Sequence, residues 1–206
     1  MSEIRTHEGD LPNLDRYTVG SVAIDTETMG LNPHRDRLCV VQLSPGDGTA
    51  DVVRIPQGTT SAPNIERLLA DPDVSVLFHF ARFDIAALAN AFGTWTTSVY
   101  CTKIASKLVR TYTDRHGLKD LVRELLGREI SKQQQSSDWG AASLTDAQLE
   151  YAASDVLYLH ELKVKLDERL HREGRAEIAS ACFDFLPMRA RLDHEGWPET
   201  DIFAHS

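Results

Sequence analysis

The sequence predicts an α/β fold in which a mixed β-sheet is built first and helices follow. Three observations carry this expectation. Short apolar runs, partly β-branched and separated by turn signals, fill the first half of the chain. A helical stretch precedes the fourth run, so that run should lie parallel to the first. The second half carries apolar residues at helical spacing, punctuated by glycine.

Residues 19–24 form the first expected strand and 38–43 the second, stopped by the turn sequence Ser44-Pro45-Gly46-Asp47-Gly48. Residues 50–55 form the third, ended by Pro56. Short connections make these three an antiparallel meander. A short helix over 64–70 follows Pro63, a residue suited to a first helical turn. Residues 74–78 supply the fourth strand. A helix over 83–92 should close at Gly93. Helices are expected over 101–110 and through Leu118, Leu121, Val122, Leu125 and Leu126, the latter ending at Gly127. Thr145 with Gln148 has the capping-box pattern and should start one long helix. Its apolar stripe is Ala152, Val156, Leu159, Leu162, Leu166 and Leu170. A last helix over 175–194 should kink or break at Pro187. No linker is long enough to separate two large domains, so residues 1–206 are read as one domain with a helical extension over 174–206.

Composition narrows the class. Hydrophobic residues make up 42% and charged residues 26%, ordinary values for a globular chain. The three scattered cysteines, Cys39, Cys101 and Cys182, argue against a disulfide framework or a zinc site of closely spaced ligands, and fit a cytoplasmic location. The first ten residues lack the apolar core of a secretory signal, and no apolar run approaches a membrane span, so no membrane partner is expected. A net charge of −9 argues against a broad basic nucleic-acid surface. The charge is uneven, however. Residues 101–132 hold eight Lys/Arg against four acids, a local surplus that suits phosphates.

The acids carry the chemistry. Asp25 and Glu27 end the first expected strand and, at a period of two, share a face. At the carboxyl end of a strand they point into the crevice where α/β proteins bind ligands. Their mutual repulsion calls for a cation, and hard carboxylate oxygens suit Mg2+ or Mn2+. Asp84 sits in a first helical turn after the fourth strand. Tyr151 and Asp155 lie one helical turn apart beside the apolar stripe, so the acid should be partly buried and in need of a partner.

In this order, Asp25-x-Glu27, His79-Phe-Ala-Arg-Phe-Asp84 and Tyr151-x3-Asp155 resemble the three motifs of the DEDD superfamily of 3′-to-5′ exonucleases. The tyrosine four before the last Asp marks the tyrosine branch; Glu150 stands where the other branch has histidine. The stretches HGLKDLVRELLG, KQQQSSDW and LTDAQLEYAASDV are similar to ribonuclease D proteins, so the resemblance spans residues 20 to about 165. The short length and the ending GWPETDIFAHS resemble the nano-RNase C group.

The resemblance implies a ribonuclease H-like sheet flanked by helices, hydrolysis of very short single-stranded RNA down to dinucleotides, activity on DNA in some members, and octameric rings. It makes Asp25, Glu27, Asp84 and Asp155 the ligands of two divalent cations, and Tyr151 the residue that orients the attacking water. Substrate contacts are expected from the backbone at Thr26 and Glu27 to the ribose, from Met29 and Leu31 to a base, and from His79, Arg82, Lys132 and Gln134 to phosphates. Trp139 is expected to pack in the core or a loop rather than stack on a base. The competing readings are tRNA 3′ trimming, DNA-end degradation and a binding module with a decayed site; a dehalogenase-type phosphatase is a further one, since DTET is similar to that group's Asp-x-Asp-x-Thr, but the second acid here is Glu and the group's later lysine motif is not evident.

Overall fold

The computed structural model describes residues 3–17, 20–32, 34–131 and 133–205. Its centre is a six-stranded mixed sheet in the order β1-β4-β3-β2-β5-β6. The strands are β1 (Ile4–Glu8), β2 (Gly20–Thr28), β3 (Leu38–Ser44), β4 (Ala50–Arg54), β5 (Val74–Phe78) and β6 (Val99–Cys101). The expected meander is β2-β3-β4, with both pairings antiparallel. The fourth expected strand, β5, pairs parallel with β2 after the crossover through α1 (Pro63–Ala70).

Two strands were not legible in the chain. β1 reads IRTHE, which has no apolar run, and it is held as a strand by parallel pairing with β4. β6 is three residues long and pairs parallel with β5. The first expected strand also changes its bounds. Its Val19 lies outside the described residues, and β2 runs on to Thr28 because β3 supplies partners as far as Leu38. Asp25 and Glu27 therefore lie within a paired strand rather than beyond one.

β3 is buried along its whole length, as a strand covered on both faces must be. On one face α5 (Asp146–Leu157) packs across β2, β3 and β4. Elsewhere α2 (Ala81–Phe92) lies against β2, β3 and β5. The remaining helices are α3 (Thr102–Val109), α4 (Leu118–Leu121, continued by a π-helical turn over Val122–Leu126), α6 (Leu159–Arg172) and α7 (Ala176–Glu195).

The single long helix expected after Thr145 is two helices. Tyr158, at φ −104° and ψ −5°, ends α5 and precedes α6. Beyond the break α6 packs mainly on α3, with a smaller contact to β5. The stripe of buried leucines nevertheless continues through α6 at Leu159, Leu162, Leu166 and Leu170. Conversely, α7 passes through Pro187 unbroken. Proline removes one ladder hydrogen bond, and buried Phe183, Leu186 and Ala190 hold the helix in place on both sides.

Candidate active site

β2 presents Asp25 and Glu27 on one face, with a bulge immediately after Glu27. Gln42, opposite Asp25 on β3, donates from Nε2 to Asp25 Oδ2 at 2.7 Å. α5 begins in the expected capping box, with Thr145 and Gln148 bonding each other's backbone N–H groups. Gln148 Nε2 also donates to the Asp138 carbonyl at 3.1 Å, which ties the helix start to the preceding loop. So fixed, α5 lowers Tyr151 and Asp155 onto the acids of β2. One carboxylate oxygen each from Asp25, Glu27 and Asp155 lie within 4.8 Å of one another. Chain segments some 130 residues apart thus build one group of hard oxygen ligands.

Asp84 stands slightly apart. It is buried in the first turn of α2 and is not in that close trio. Its Oδ1 accepts the Thr26 hydroxyl at 2.7 Å. Its charge is still felt at Asp25 and Glu27.

Electrostatics show a site short of positive charge. Burial, then the charges of Asp84, Asp155 and Glu27, push the Asp25 carboxyl well above its ordinary range, against the Gln42 bond. Burial, then Asp155 and Asp84, push Glu27 up to about 9. Burial raises Asp84 to about 7 despite the Thr26 and backbone bonds that oppose it. A trio of converging carboxylates, of which Asp25 and Glu27 are pushed upward in this way, fits a divalent cation, which would remove the repulsion. Burial, then the charges of Asp155, Glu27 and Asp25, also raise the Tyr151 phenol, so it remains a hydrogen-bond donor at neutral pH.

Asp25, Glu27 and Asp155 line a cavity of about 290 Å³, with His79 and Tyr151 on its walls. His79 Nδ1 lies 2.9 Å from Thr102 Oγ1, and that hydroxyl donates to the Phe78 carbonyl at 3.1 Å. Thr26 lines the cavity while its side chain is buried and spent on Asp84. Met29 and Leu31 are exposed, at 56% and 84%, so neither is core filler. Leu31 lines a second cavity beside the first. Arg82 is not brought to the acids: it forms a two-pronged pair with Asp193 and bonds the Pro198 carbonyl. Gln134 accepts the Ser137 hydroxyl at 2.5 Å, and its neighbour Gln135 lines the cavity instead. Lys132 lies outside the described residues. Trp139 is 3% exposed and packs 5.9 Å from the Tyr151 ring, a core position as expected.

Phe80, Lys103 and Lys119 also line the cavity and were not singled out from the sequence as site residues. The two lysines had a signal, because both belong to the basic stretch 101–132. Phe80 had none.

A family model described as a 3′-5′ exonuclease matches residues 11–171. Among curated relatives, ribonuclease D of Gluconacetobacter diazotrophicus is 38% identical over 176 residues, covering 84% of this chain and 44% of the relative. DNA polymerase I of Aquifex aeolicus is 35% identical over 148 residues, covering 72% of this chain and 24% of the polymerase. The chain thus spans less than half the length of these curated relatives. Among solved structures, Brucella melitensis NrnC with bound Mg2+ superposes with a TM-score of 0.96 at 65% identity, covering 99% of this chain and 100% of that one. The same protein bound to pGG gives 0.98 at 65% identity over the full length of both. Ribonuclease D of Escherichia coli gives 0.76 at 25% identity, with 89% of this chain and 49% of that one covered. The shared architecture is the ribonuclease H-like fold.

Proposed function

The chain belongs to the 3′-5′ exonuclease family, in its ribonuclease D-like, NrnC-type branch, and on that premise we propose that it hydrolyses very short single-stranded RNA, down to dinucleotides, to nucleoside 5′-monophosphates. The observation that carries this reading is the convergence of Asp25, Glu27 and Asp155 beside Tyr151 in a cavity of only about 290 Å³. Ligand clefts commonly run from ~300 to 1,000 Å³, so this one suits a strand end rather than a long run of nucleotides. The full-length likeness to a protein solved with pGG supports the same substrate class.

Asp25, Glu27 and Asp155 would hold divalent cations, with Asp84 completing the charge of four carboxylates against two ions. Mg2+ or Mn2+ bound there supplies acidification of the attacking water and charge stabilisation on the leaving 3′ oxygen. The chain's own residues do the positioning. Tyr151 stays protonated and orients the water by hydrogen bonding rather than acting as a base. Thr26 fixes Asp84, and Gln42 fixes Asp25. His79, Lys103 and Lys119 stand on the walls where phosphate charge would lie. A dinucleotide has one internal phosphate, so little of its affinity can come from backbone charge, which reconciles RNA with a chain of −9.

We further propose a cytoplasmic enzyme that assembles as a homo-octamer. Exposed apolar residues on α7 and the tail, Ile178, Met188 and Phe203, are the faces we assign to assembly. Light scattering on the purified protein checks the mass.

The test of function is a time course on labelled RNAs of two, five and twenty nucleotides and on blunt DNA, with Mg2+ or Mn2+, beside Asp155→Asn. Rapid loss of the dinucleotide, abolished by the substitution, is the expected result. Equal turnover of all lengths, or preference for DNA ends, sinks the short-RNA reading.

A further inference from the structure

Phe80 sits in a backbone conformation that an aromatic residue avoids. Its φ of 80° and ψ of 44° are left-handed, and among the described residues it is the non-glycine residue with positive φ. For a bulky L-residue this is a steric outlier, whereas glycine takes it without strain. Such strain persists where surrounding structure enforces it, and it concentrates at functional sites. No core demand explains the ring. It is 45% exposed and belongs to neither buried cluster.

Two cavities meet at this side chain. The catalytic cavity of about 290 Å³ lies on one side. A larger one of about 690 Å³ lies on the other, walled by Leu31, Phe83 and Ala86 and by the Arg82–Asp193 pair. Phe80 is the residue common to both linings. The ammonium of Lys103 stands 4.3 Å from the ring centroid, within cation–π range, and holds the ring in place.

We propose that Phe80 is a specificity-determining residue for strand length: its ring is the wall that closes the catalytic cavity against the larger one. This deepens, and rests on, the reading of the chain as a short-RNA exonuclease. With the ring present, a strand leaving the carboxylates meets an aromatic barrier after a very short path. With the ring removed, the two cavities join into one trough with room for further nucleotides. The strained backbone is what carries the ring to that boundary, since the same position with ordinary φ would begin α2 in a different direction.

The experiment compares Phe80→Gly and Phe80→Ala with the unmodified protein. The readouts are kcat/KM on RNAs of two and five nucleotides in saturating Mg2+, and the thermal midpoint of each protein. The unmodified protein should prefer the dinucleotide. Both variants should shift the two-to-five ratio toward the longer RNA by about tenfold, which corresponds to about 1.4 kcal/mol of discrimination. Phe80→Gly should melt at or above the unmodified protein and above Phe80→Ala, because glycine suits this φ. The two variants therefore separate length selection from stability. An unchanged ratio in both, a ratio that follows the melting temperature, or loss of activity on every length overturns the proposal while leaving the short-RNA reading intact. Absence of any dinucleotide preference in the unmodified protein removes the reading and the proposal together.

Discussion

Two buried acid sites share this sheet and are built on opposite principles. Asp51 on β4 is 4% exposed and is met from three sides: Arg16 Nη1 at 2.7 Å, His7 Nε2 at 2.8 Å, and the Tyr17 hydroxyl. Arg16 is itself steadied by Asp47 at 2.9 Å. Asp25, two strands away, takes an amide donor from Gln42 and is faced by other acids; burial first, and then their charges, push its carboxyl upward. The protein completes the first carboxylate with its own guanidinium and hydrogen-bonding side chains, whereas the second is left among other carboxylates. A buried acid that is internally balanced holds the fold together. A group of them left out of balance is fitted to take up a cation.

The largest expected effect breaks the second site. Asp155→Asn should lower turnover on the order of 10³-fold, because a lost ligand forfeits several kcal/mol of transition-state charge stabilisation. The same substitution should leave the metal-free fold as stable as before or more so, since it removes a repelling charge from the group. Steady-state kinetics and a thermal melt in chelator measure the two sides. Activity within tenfold of the original would place the chemistry elsewhere.

The matching change at the first site should act the other way. Asp51→Ala removes the partner of Arg16, His7 and Tyr17. It should destabilise the fold by about 3 kcal/mol, the lower end for a broken buried pair, because Arg16 keeps Asp47. Chemical denaturation gives this number directly. The kcat of the folded fraction should stay within about threefold, because no residue of this network lines the catalytic cavity among the described residues. A stability loss below about 1 kcal/mol would mean that the network contributes no more than an exposed pair.

The two sites were unequally legible in the sequence. Asp25 and Glu27 announce themselves because a strand's period of two puts alternate residues on one face, and Tyr151 and Asp155 because a helical turn does the same. These are local rules, and the order of the motifs did the rest. Asp51 left no such trace. Its partners come from β1 and the following loop, and β1 itself reads as polar until β4 pairs with it. Arg82 shows the converse limit. It has the right chemistry for phosphate, but Asp193, 111 residues away, holds it. A long-range partner decides this case, and the break at Tyr158 is another, since α6 turns to pack mainly on α3. Phe80 is the extreme instance, because its left-handed backbone contradicts what its side chain ordinarily adopts.

A smaller effect distinguishes orienting water from deprotonating it. Tyr151→Phe should lower kcat by about 10–100-fold with little change in KM, the scale of a lost positioning contact. Since the phenol stays protonated through the neutral range, the pH dependence of the residual activity should keep its shape. A profile that loses its ascending limb, the rise of activity with pH, on substitution would make Tyr151 the base.

The smallest effect is a slope, and its sign is fixed by the carboxylates. In the cation-free fold Asp84 is raised to about 7 and Glu27 to about 9, whereas unfolded carboxylates titrate near 4. The folded chain therefore binds protons that the unfolded chain has released. Stability is greatest below about pH 4 as far as these groups are concerned, and it falls as pH rises toward about 9. His116 and His160, both lowered by burial, oppose this trend around their own titration, so the acids are read from pH 7 to 9, where burial of the Cys39 thiol adds to the same slope. Melting temperature in chelator should drop across that window by a few degrees, about 2–4 °C for each kcal/mol in a domain of this size. Magnesium competes with those protons, so the rise in melting temperature on adding it should grow with pH. Glu27→Gln should flatten both trends. A magnesium increment that shrinks between pH 7 and 9 would mean that the ion does not bind at these oxygens, and the contrast between the two acid sites would fail.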